Sequence, residues 1–260
     1  MSIYEADNPD HFNTALESVW NDQHLKPDQI VLVCDGKLTT ELDFVISKWE
    51  KRLSTKLKVA RLKLNLGLAN ALNYGLDFCQ NDLVIRMDSD DISLPSRFSS
   101  QVRFLMSHKR VSVSSGHVLM FDDTGEKNIR KVPIGHQEIA NYGVFRNPMN
   151  HPSVAFRKSK IKEVGGYPLF RKGQDYALWS LLLVRGHELE NQDETLVKMR
   201  GGIDLFNRRS WRYFLHELRV LRYQKQIGFI SGFQFTINVS VRFLFRIIPN
   251  KIKKVVYRHI

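Results

Sequence analysis

The sequence predicts an α/β protein with a parallel sheet, and three observations support this fold class. The first 110 residues alternate strand and helix signals in a β-α-β-α-β-α order, which is typical of parallel sheets. The strand signal at 29–34 is a continuous apolar run, as in a strand buried on both faces, and the signal at 82–87 predicts another buried strand. The chain has 260 residues, of which 43% are hydrophobic, and this is enough for a sizeable core.

The elements of the first half follow from the spacing of their apolar residues. Helices are predicted where these residues recur at helical spacing, as in the stripe of Leu66, Ala69, Leu72 and Leu76. In chain order we expect a strand end at 2–4, a helix at 12–20, a strand at 29–34, a helix at 42–53, a strand at 58–62, a helix at 66–79, a strand at 82–87 and a helix at 95–107.

The second half has a mixed pattern. It predicts a strand at 111–121, a turn at 122–125, a helix at 136–145, a strand at 153–156, a loop at 165–168, a helix at 174–184 and a strand at 195–199. We therefore expect one α/β domain at 1–204, with two halves at about 1–110 and about 111–204. A helical tail at 205–260 follows.

The positive charge is concentrated in the tail. The chain has a formal charge of +12, and 205–260 contains 12 lysines and arginines but one acid, Glu217. The tail thus carries +11, and residues 1–204 are close to neutral at +1. Such asymmetry indicates a surface for an anionic partner: a nucleic acid, an anionic membrane or an anionic substrate. No nucleic-acid-binding motif is present, so we expect no nucleic-acid partner.

Aromatic and basic residues alternate along the tail, which favours amphipathic helices lying on a membrane surface. The alternative is a tail that packs on the α/β domain and exposes a solvated basic face. Two cysteines are too few for a disulfide framework and fit a reducing compartment. The N-terminus has no basic and apolar secretory signal, and no apolar run is long enough to span a bilayer. We expect a cytoplasmic location.

An acidic cluster follows the buried strand at 82–87. Asp88 and Asp90 point to one side of an extended chain, and open α/β sheets bind ligands beyond the carboxyl ends of their strands. Two converging carboxylates can hold Mg²⁺ or Mn²⁺ together with substrate phosphates. The alternative is a turn or capping cluster before the helix at Pro95.

Several motifs together resemble the family 2 glycosyltransferases. They occur in the family's order over about residues 1–200, and they are Ser2-Ile3-Tyr4, Val33-Cys34-Asp35-Gly36, the glycine- and asparagine-rich stretch at 65–75, Asp88-Ser89-Asp90-Asp91 and Gln174-Asp175-Tyr176. The stretches at 26–33 and 35–39 resemble a subgroup that builds bacterial exopolysaccharides and O-antigens, including enterobacterial β-1,3-glucosyltransferases. The resemblance implies the GT-A fold, with a mostly parallel central sheet flanked by helices.

The resemblance also implies that 1–204 is a catalytic domain, with a nucleotide-binding half at about 1–110 and an acceptor half at about 111–204. It further implies a donor site. Its residues would be Ser2, Tyr4, Asp35, Asn65, Gly67, Arg86, Asp88, Ser89, Asp90 and Asp91. Asp88 and Asp90 would hold Mn²⁺ or Mg²⁺ at the diphosphate, and Asp35 would accept a hydrogen bond from the base. From their residue types alone, Asp35 is an ordinary turn residue and Asn65 a helix cap.

On the acceptor side the resemblance implies that Asp175 is the general base, because the attacking hydroxyl must lose a proton. Gln174 stands where the family commonly has Glu, and the alternative for Asp175 is a helix-start acid favoured by the dipole. His151 would contact the acceptor or the diphosphate, or would be structural. Independently of the resemblance, we expect Arg208 and Arg209 to contact a diphosphate of the donor or the acceptor.

The expected activity is inverting transfer of a hexose, with glucose from UDP-glucose in β-1,3 linkage as the first choice. The acceptor would be GlcNAc or GalNAc on undecaprenyl diphosphate, in O-antigen or exopolysaccharide assembly, and the enzyme would associate peripherally with the cytoplasmic leaflet of the inner membrane. The alternatives are a galactosyl or other hexosyl transferase, a sugar nucleotidyltransferase, and a non-enzymatic basic membrane-surface protein.

Overall fold

The computed structural model of the protein describes residues 1–122, 124–201 and 211–247. The strands in this part are β1 Ser2–Ile3, β2 Ile30–Cys34, β3 Leu57–Arg61, β4 Leu83–Ile85, β5 Ile92–Ser93, β6 Val111–Asp122, β7 Gly125–Arg130, β8 Ala155–Arg157 and β9 Glu188–Arg200. The helices are α1 Pro9–Trp20, α2 Thr40–Leu53, α3 Leu68–Phe78, α4 Arg97–Ser107, α5 His136–Gly143, α6 Lys158–Glu163, α7 Gln174–Val184, α8 Trp211–Gln226 and α9 Gly232–Ile247.

The first sheet is parallel and has the order β1-β2-β3. Successive residues of β2 point to opposite faces, so Leu32 packs with α1 and α2 while Val33 packs against α3. Helix α3 approaches the sheet closely at Gly75, where a Cβ would lie 2.9 Å from Cγ2 of Val33. The expectation of a buried parallel sheet is therefore correct for β1 to β3, but β4, which was expected in the same sheet, lies in the second sheet and pairs antiparallel with β8.

The second sheet is mixed and has the order β4-β8-β6-β9-β5, with β7 paired to β6. Only the β6–β9 pairing is parallel among these strands, and the other pairings are antiparallel. The prediction of a mostly parallel sheet is wrong for this second sheet. An apolar run shows that a strand is buried, but it does not show the direction of the neighbouring strands.

Three elements gave no signal in the sequence, and β9 is longer than expected. All six residues of β7 are exposed, so the strand has no apolar alternation. The first part of β9 is polar, but Asn191 in it is buried and accepts hydrogen bonds from the backbone N–H and the hydroxyl of Ser115. The short β5 and α6 contain too few residues for a periodic pattern.

Helices α8 and α9 pack on the catalytic domain. Gln224 of α8 donates to the hydroxyl of Ser180 on α7 at 2.7 Å, and Asn238 of α9 donates to the carbonyl of Val144 at 3.1 Å. The packed arrangement, which was the alternative for the tail, is thus present for 211–247. No helix in the described residues is long and apolar enough to cross a bilayer.

Candidate active site

A cavity of about 790 Å³ opens beyond the ends of β4 and β9. It brings together segments that are distant in sequence: the loop at 88–91 after β4, which we call the acidic loop, the 145–152 segment, the start of α7 and one face of α8. Side chains that line it include Asp88, Asp90, Asp91, Asn147, His151, Lys172, Asp175, Tyr213, His216 and Glu217. The predicted metal site and the predicted base therefore face one cavity.

Two buried arginines underlie the acidic loop. The guanidinium of Arg86 forms a two-pronged ion pair with the carboxylate of Asp88. Arg97 is fully buried and donates through Nη2 to the carbonyl oxygens of Arg86 at 2.7 Å and Pro152 at 3.1 Å. Burial lowers the pKa of Arg97 to about 9, so it is still a cation at neutral pH. Sequence analysis missed Arg97, because an arginine in an amphipathic helix normally faces solvent.

Asp90 and Asp91 carry negative charge in a confined space. The side chain of Asp91 is 1% exposed, and its Oδ1 accepts the backbone N–H of Arg200 at 2.8 Å. Its Oδ2 has no hydrogen-bond partner within the described residues. Burial, followed by the charges of Asp88 and Asp90, raises the pKa of Asp91 well above its usual range. Burial and the neighbouring Asp88 also raise the pKa of Asp90.

These observations fit a hard divalent cation. The carboxylates supply oxygen donors, and a cation nearby would offset the charge that raises their pKa values. Within the described residues, however, no group of three His, Cys, Asp or Glu side chains could hold a metal by itself. The chain can offer one or two carboxylates here, and substrate oxygens would have to complete the coordination.

Asp7 joins this region from the turn after β1. Its Oδ2 accepts hydrogen bonds from the hydroxyl of Ser89 at 3.1 Å and from the backbone N–H of Tyr4 at 3.0 Å. Burial raises the pKa of Asp7 to about 6. Two predicted donor-site residues, Tyr4 and Ser89, thus bond to one carboxyl group that was not predicted from the sequence, and Ser2 lies in β1, where it pairs with Val33. The position of Asp7 beyond the carboxyl end of a parallel strand was the available signal.

Asp35 holds the predicted nucleotide loop against β2. Its Oδ1 accepts the backbone N–H of Leu66 at 2.8 Å, and its Oδ2 accepts that of Gly67 at 2.9 Å. Gly36 has φ +93°, and a Cβ there would lie 2.7 Å from the backbone nitrogen of Asn65. The structure thus brings Asp35, Asn65 and Gly67 together. Recognition of a base by Asp35 stays a prediction, since both oxygens already accept backbone hydrogen bonds.

Asp175 lies in the first turn of α7, where the helix dipole favours a carboxylate. The amide Nδ2 of Asn147 donates to its Oδ2 at 2.6 Å. Gly173, immediately before the helix, has φ +76°, and a Cβ there would lie 3.0 Å from Cγ2 of Val220. The turn into α7 is therefore pressed against α8, and this contact fixes the position of Asp175 in the cavity wall.

His151 is 8% exposed and lies in an aromatic cluster with Tyr167 and Trp179. Its Nε2 is 3.1 Å from the hydroxyl of Tyr167. Burial, and secondarily the charge of Arg86, hold the pKa of His151 well below its usual range, so the imidazole is neutral. A catalytic role for His151 stays a prediction. Arg208 and Arg209 lie outside the described residues.

Comparison with known proteins identifies the family. The family model described as Glycosyl transferase family 2 matches residues 4–165. The chain is 36% identical over 261 residues to the amylovoran biosynthesis glycosyltransferase AmsE of Erwinia amylovora, covering 99% of this chain and 96% of that protein. It is also 36% identical over 262 residues to the UDP-Gal:alpha-D-GlcNAc-diphosphoundecaprenol beta-1,3-galactosyltransferase of Escherichia coli, covering 100% of this chain and 94% of that protein.

Solved structures share the fold at low identity. S. aureus TarS 1-349 has a TM-score of 0.65 at 16% identity, over 94% of this chain and 70% of that chain. The mannosyltransferase PcManGT from Pyrobaculum calidifontis has a TM-score of 0.64 at 13% identity, over 92% of this chain and 67% of that chain. These are GT-A fold glycosyltransferases, which confirms the predicted fold. The chain therefore belongs to glycosyl transferase family 2 and is a glycosyltransferase with the GT-A fold.

Proposed function

We propose that the enzyme transfers a hexose from a UDP-hexose, with inversion, to GlcNAc carried on undecaprenyl diphosphate, and that it forms a β-1,3 linkage. The observation that carries this proposal is the single cavity in which the acidic loop and Asp175 face each other. The full-length similarity to the Escherichia coli galactosyltransferase and to the amylovoran enzyme supports an acceptor on a lipid diphosphate and a role in exopolysaccharide or O-antigen assembly.

Galactose is the favoured donor sugar, and glucose, the first choice from the sequence, is the second. The Escherichia coli relative is named for UDP-galactose, and the match covers all of this chain and 94% of that protein. Galactose and glucose differ only in the configuration of one hydroxyl group, so a few side chains around the cavity decide between them. Family membership favours a glycosyltransferase over the nucleotidyltransferase and the non-enzymatic alternatives.

The acidic loop supports the donor's diphosphate. Negative charge builds on the β-phosphate as it leaves, and a Mn²⁺ or Mg²⁺ ion bound there would offset this charge. Asp88 and Asp90 are the residues that would hold the ion, with Asp91 beside them. Metals of this type are commonly held by one or two carboxylates together with substrate phosphates, which matches the donor set described above.

Asp175 accepts the proton of the attacking hydroxyl in this proposal. Asn147 donates to its Oδ2 and orients the carboxylate, so that Oδ1 is the oxygen directed to the substrate. His151 is a weakened base because burial lowers its pKa, and its hydrogen bond to Tyr167 favours a role in shaping the acceptor wall.

The enzyme is proposed to act at the cytoplasmic face of the inner membrane as a peripheral protein. The acceptor's lipid lies in the bilayer, and α9 exposes large apolar side chains along one face. Phe233, Val241 and Leu244 are 77%, 45% and 56% exposed and are spaced by eight and three residues, which places them on the same side of the helix. Together with the charge of the tail, such a face favours binding to anionic bilayers.

A donor and acceptor panel tests the proposed function. The purified protein is incubated with UDP-galactose, UDP-glucose or UDP-GlcNAc and with synthetic GlcNAc- or GalNAc-diphosphate-lipid, with Mn²⁺ or with EDTA. We expect transfer from UDP-galactose to the GlcNAc acceptor, a β-1,3 product by NMR, and loss of turnover in EDTA. Absence of transfer from every UDP-sugar would refute the proposal, and formation of pyrophosphate would indicate a nucleotidyltransferase.

A further inference from the structure

Five basic side chains lie close together at or beside the wall of the cavity that contains Asp175. We call them the basic rim: Arg171 and Lys172 from the loop before α7, and Arg212, His216 and Arg219 from α8. Lys172 and His216 line the cavity itself, together with Asp175. Lys172 precedes Asp175 by three residues, so a group bound at the rim lies beside the proposed base.

The side chains of the rim are close enough to act on one another. Burial lowers the pKa of His216, and the next causes are the positive charges of Arg219, Arg171, Arg212 and Lys172. The contact of Gly173 with Val220 brings the loop and the helix together, and it therefore places cations of both elements side by side.

Within the described residues, no carboxylate forms an ion pair with Arg171, Lys172, Arg212 or Arg219. Glu217 is the one acid on α8, and its carboxylate pairs with Arg242 and Arg246 of α9. Lys172 lines the cavity, and Arg171, Arg212 and Arg219 are exposed near His216, which also lines it. Like charges in one place repel each other, and an anionic ligand relieves this repulsion.

The proposed reaction brings two diphosphates to one cavity. The donor's diphosphate belongs to the acidic loop, where a cation would offset its charge. The acceptor carries its own diphosphate, and it must present a hydroxyl to Asp175, next to the rim. We propose that the basic rim binds the diphosphate of the lipid-linked acceptor and thereby positions the acceptor sugar at Asp175. This inference rests on the proposed function, but it names a site of its own.

The test compares two acceptors in detergent solution without phospholipid. One is GlcNAc-diphosphate-alkyl, and the other is GlcNAc joined to the same alkyl chain without phosphates. For the double variant Arg171→Ala, Lys172→Ala we expect KM for the diphosphate acceptor to rise about ten- to hundredfold, as for lost hydrogen bonds to charged groups. KM for the donor and kcat/KM for the phosphate-free acceptor should not change. Lys51→Ala, an exposed lysine on α2, is the matched control.

Other outcomes overturn the inference. If kcat/KM of the double variant fell equally with both acceptors, Arg171 and Lys172 would only support the structure. A raised KM for the donor would assign the basic rim to the UDP-sugar. If the double variant raised KM for the diphosphate acceptor only when phosphatidylglycerol vesicles were added, the basic rim would bind membrane headgroups instead. The single variant Arg219→Gln should raise the acceptor KM in the same direction, and it provides a second test if the double variant does not fold.

A binding measurement separates this inference from the proposed function. By calorimetry without donor, the wild-type protein should bind GlcNAc-diphosphate-alkyl about tenfold or more tightly than the double variant. If the wild-type protein binds it in this way but transfers no hexose, the proposed function fails and the rim stands. If transfer occurs and binding is the same in both proteins, the rim fails alone.

Discussion

Asp175 is a residue whose surroundings define its chemistry. Its Oδ2 accepts from Asn147, and it lies in the same cavity as the acidic loop. We expect Asp175→Asn to lower kcat by about 10²- to 10⁴-fold, the usual contribution of a general base, and to leave UDP binding intact. Steady-state kinetics and calorimetry with UDP check this, with the exposed Asp22→Asn as control. Weaker UDP binding with kcat retained would place Asp175 on the donor side instead.

Asp7 predicts a pH dependence of stability. Burial raises its pKa from 3.8 to about 6 in the folded protein, so the folded state binds this proton more tightly than the unfolded state does. The contribution to stability is complete below the unfolded pKa and is lost as the pH rises through about 6. Because Asp7 is only partly buried, we expect Asp7→Asn to raise the free energy of unfolding at pH 8 by only about 1 to 2 kcal/mol.

Urea unfolding of the wild-type protein and of Asp7→Asn at pH 4 and pH 8 measures this effect. The gain should be present at pH 8 and absent at about pH 4, where the wild-type carboxyl group is protonated in the folded protein. An equal difference at both pH values would mean that the substitution acts through its hydrogen bonds to Ser89 and Tyr4.

Sequence analysis identified the charged residues of the site better than their partners. Asp88, Asp90 and Asp175 line one cavity; the first two were identified from the strand before them, and Asp175 from the family resemblance. The Asn147–Asp175 hydrogen bond joins residues 28 positions apart, and Asp7 meets Ser89 across 82 positions. Such contacts depend on the topology of the sheets, which periodicity does not contain.

At the scale of elements, α8 and α9 are joined by an ion-pair network. Glu217 of α8 contacts Arg242 at 3.7 Å and pairs with Arg246, whose guanidinium lies over the ring of Phe214 at 4.7 Å. Glu217→Gln would remove the Glu217 carboxylate from beside two mostly buried guanidinium groups. We expect the free energy of unfolding to fall by about 2 kcal/mol, less than for a fully buried pair.

Chemical denaturation of Glu217→Gln and of the control Glu50→Gln, an exposed acid on α2, checks this expectation. A similar small change in both variants would show that apolar packing, not the ion pairs, joins the two helices.

Elements with strong apolar stripes were predicted well, and polar or short ones were not. Helix α7 occupies the predicted range 174–184, because eight of its 11 residues are apolar and seven are buried. Strand β9 extends from Glu188, but its polar first residues concealed it until the structure showed Asn191 bonded inside the sheet. Burial of polar side chains with hydrogen-bond partners is a tertiary effect, and local hydropathy does not report it.

At the scale of the whole molecule, the exposed apolar face of α9 predicts how the enzyme meets the bilayer. We expect Phe233→Asp, Leu244→Asp to reduce binding to phosphatidylglycerol vesicles by about tenfold or more, since two apolar anchors are lost and two negative charges are added. Vesicle sedimentation measures this. Activity with a short-chain acceptor in detergent should stay unchanged.

Phe44→Asp is the matched control for this experiment, because Phe44 is 59% exposed on α2 and belongs to a different surface. Equal loss of binding in the control would indicate that charge alone acts. Full binding in the double variant would assign membrane association to another part of the chain.

Helix α8 contributes Tyr213, His216 and Glu217 to the same cavity as the acidic loop. The domain boundary predicted at 204 therefore divides the sequence, but residues on both sides of it line the candidate active-site cavity. Anyone who builds a hybrid enzyme from this chain and a relative should transfer α8 together with the segment at 124–201. A junction between 124–201 and α8 would take the two parts of the proposed acceptor wall from different parents.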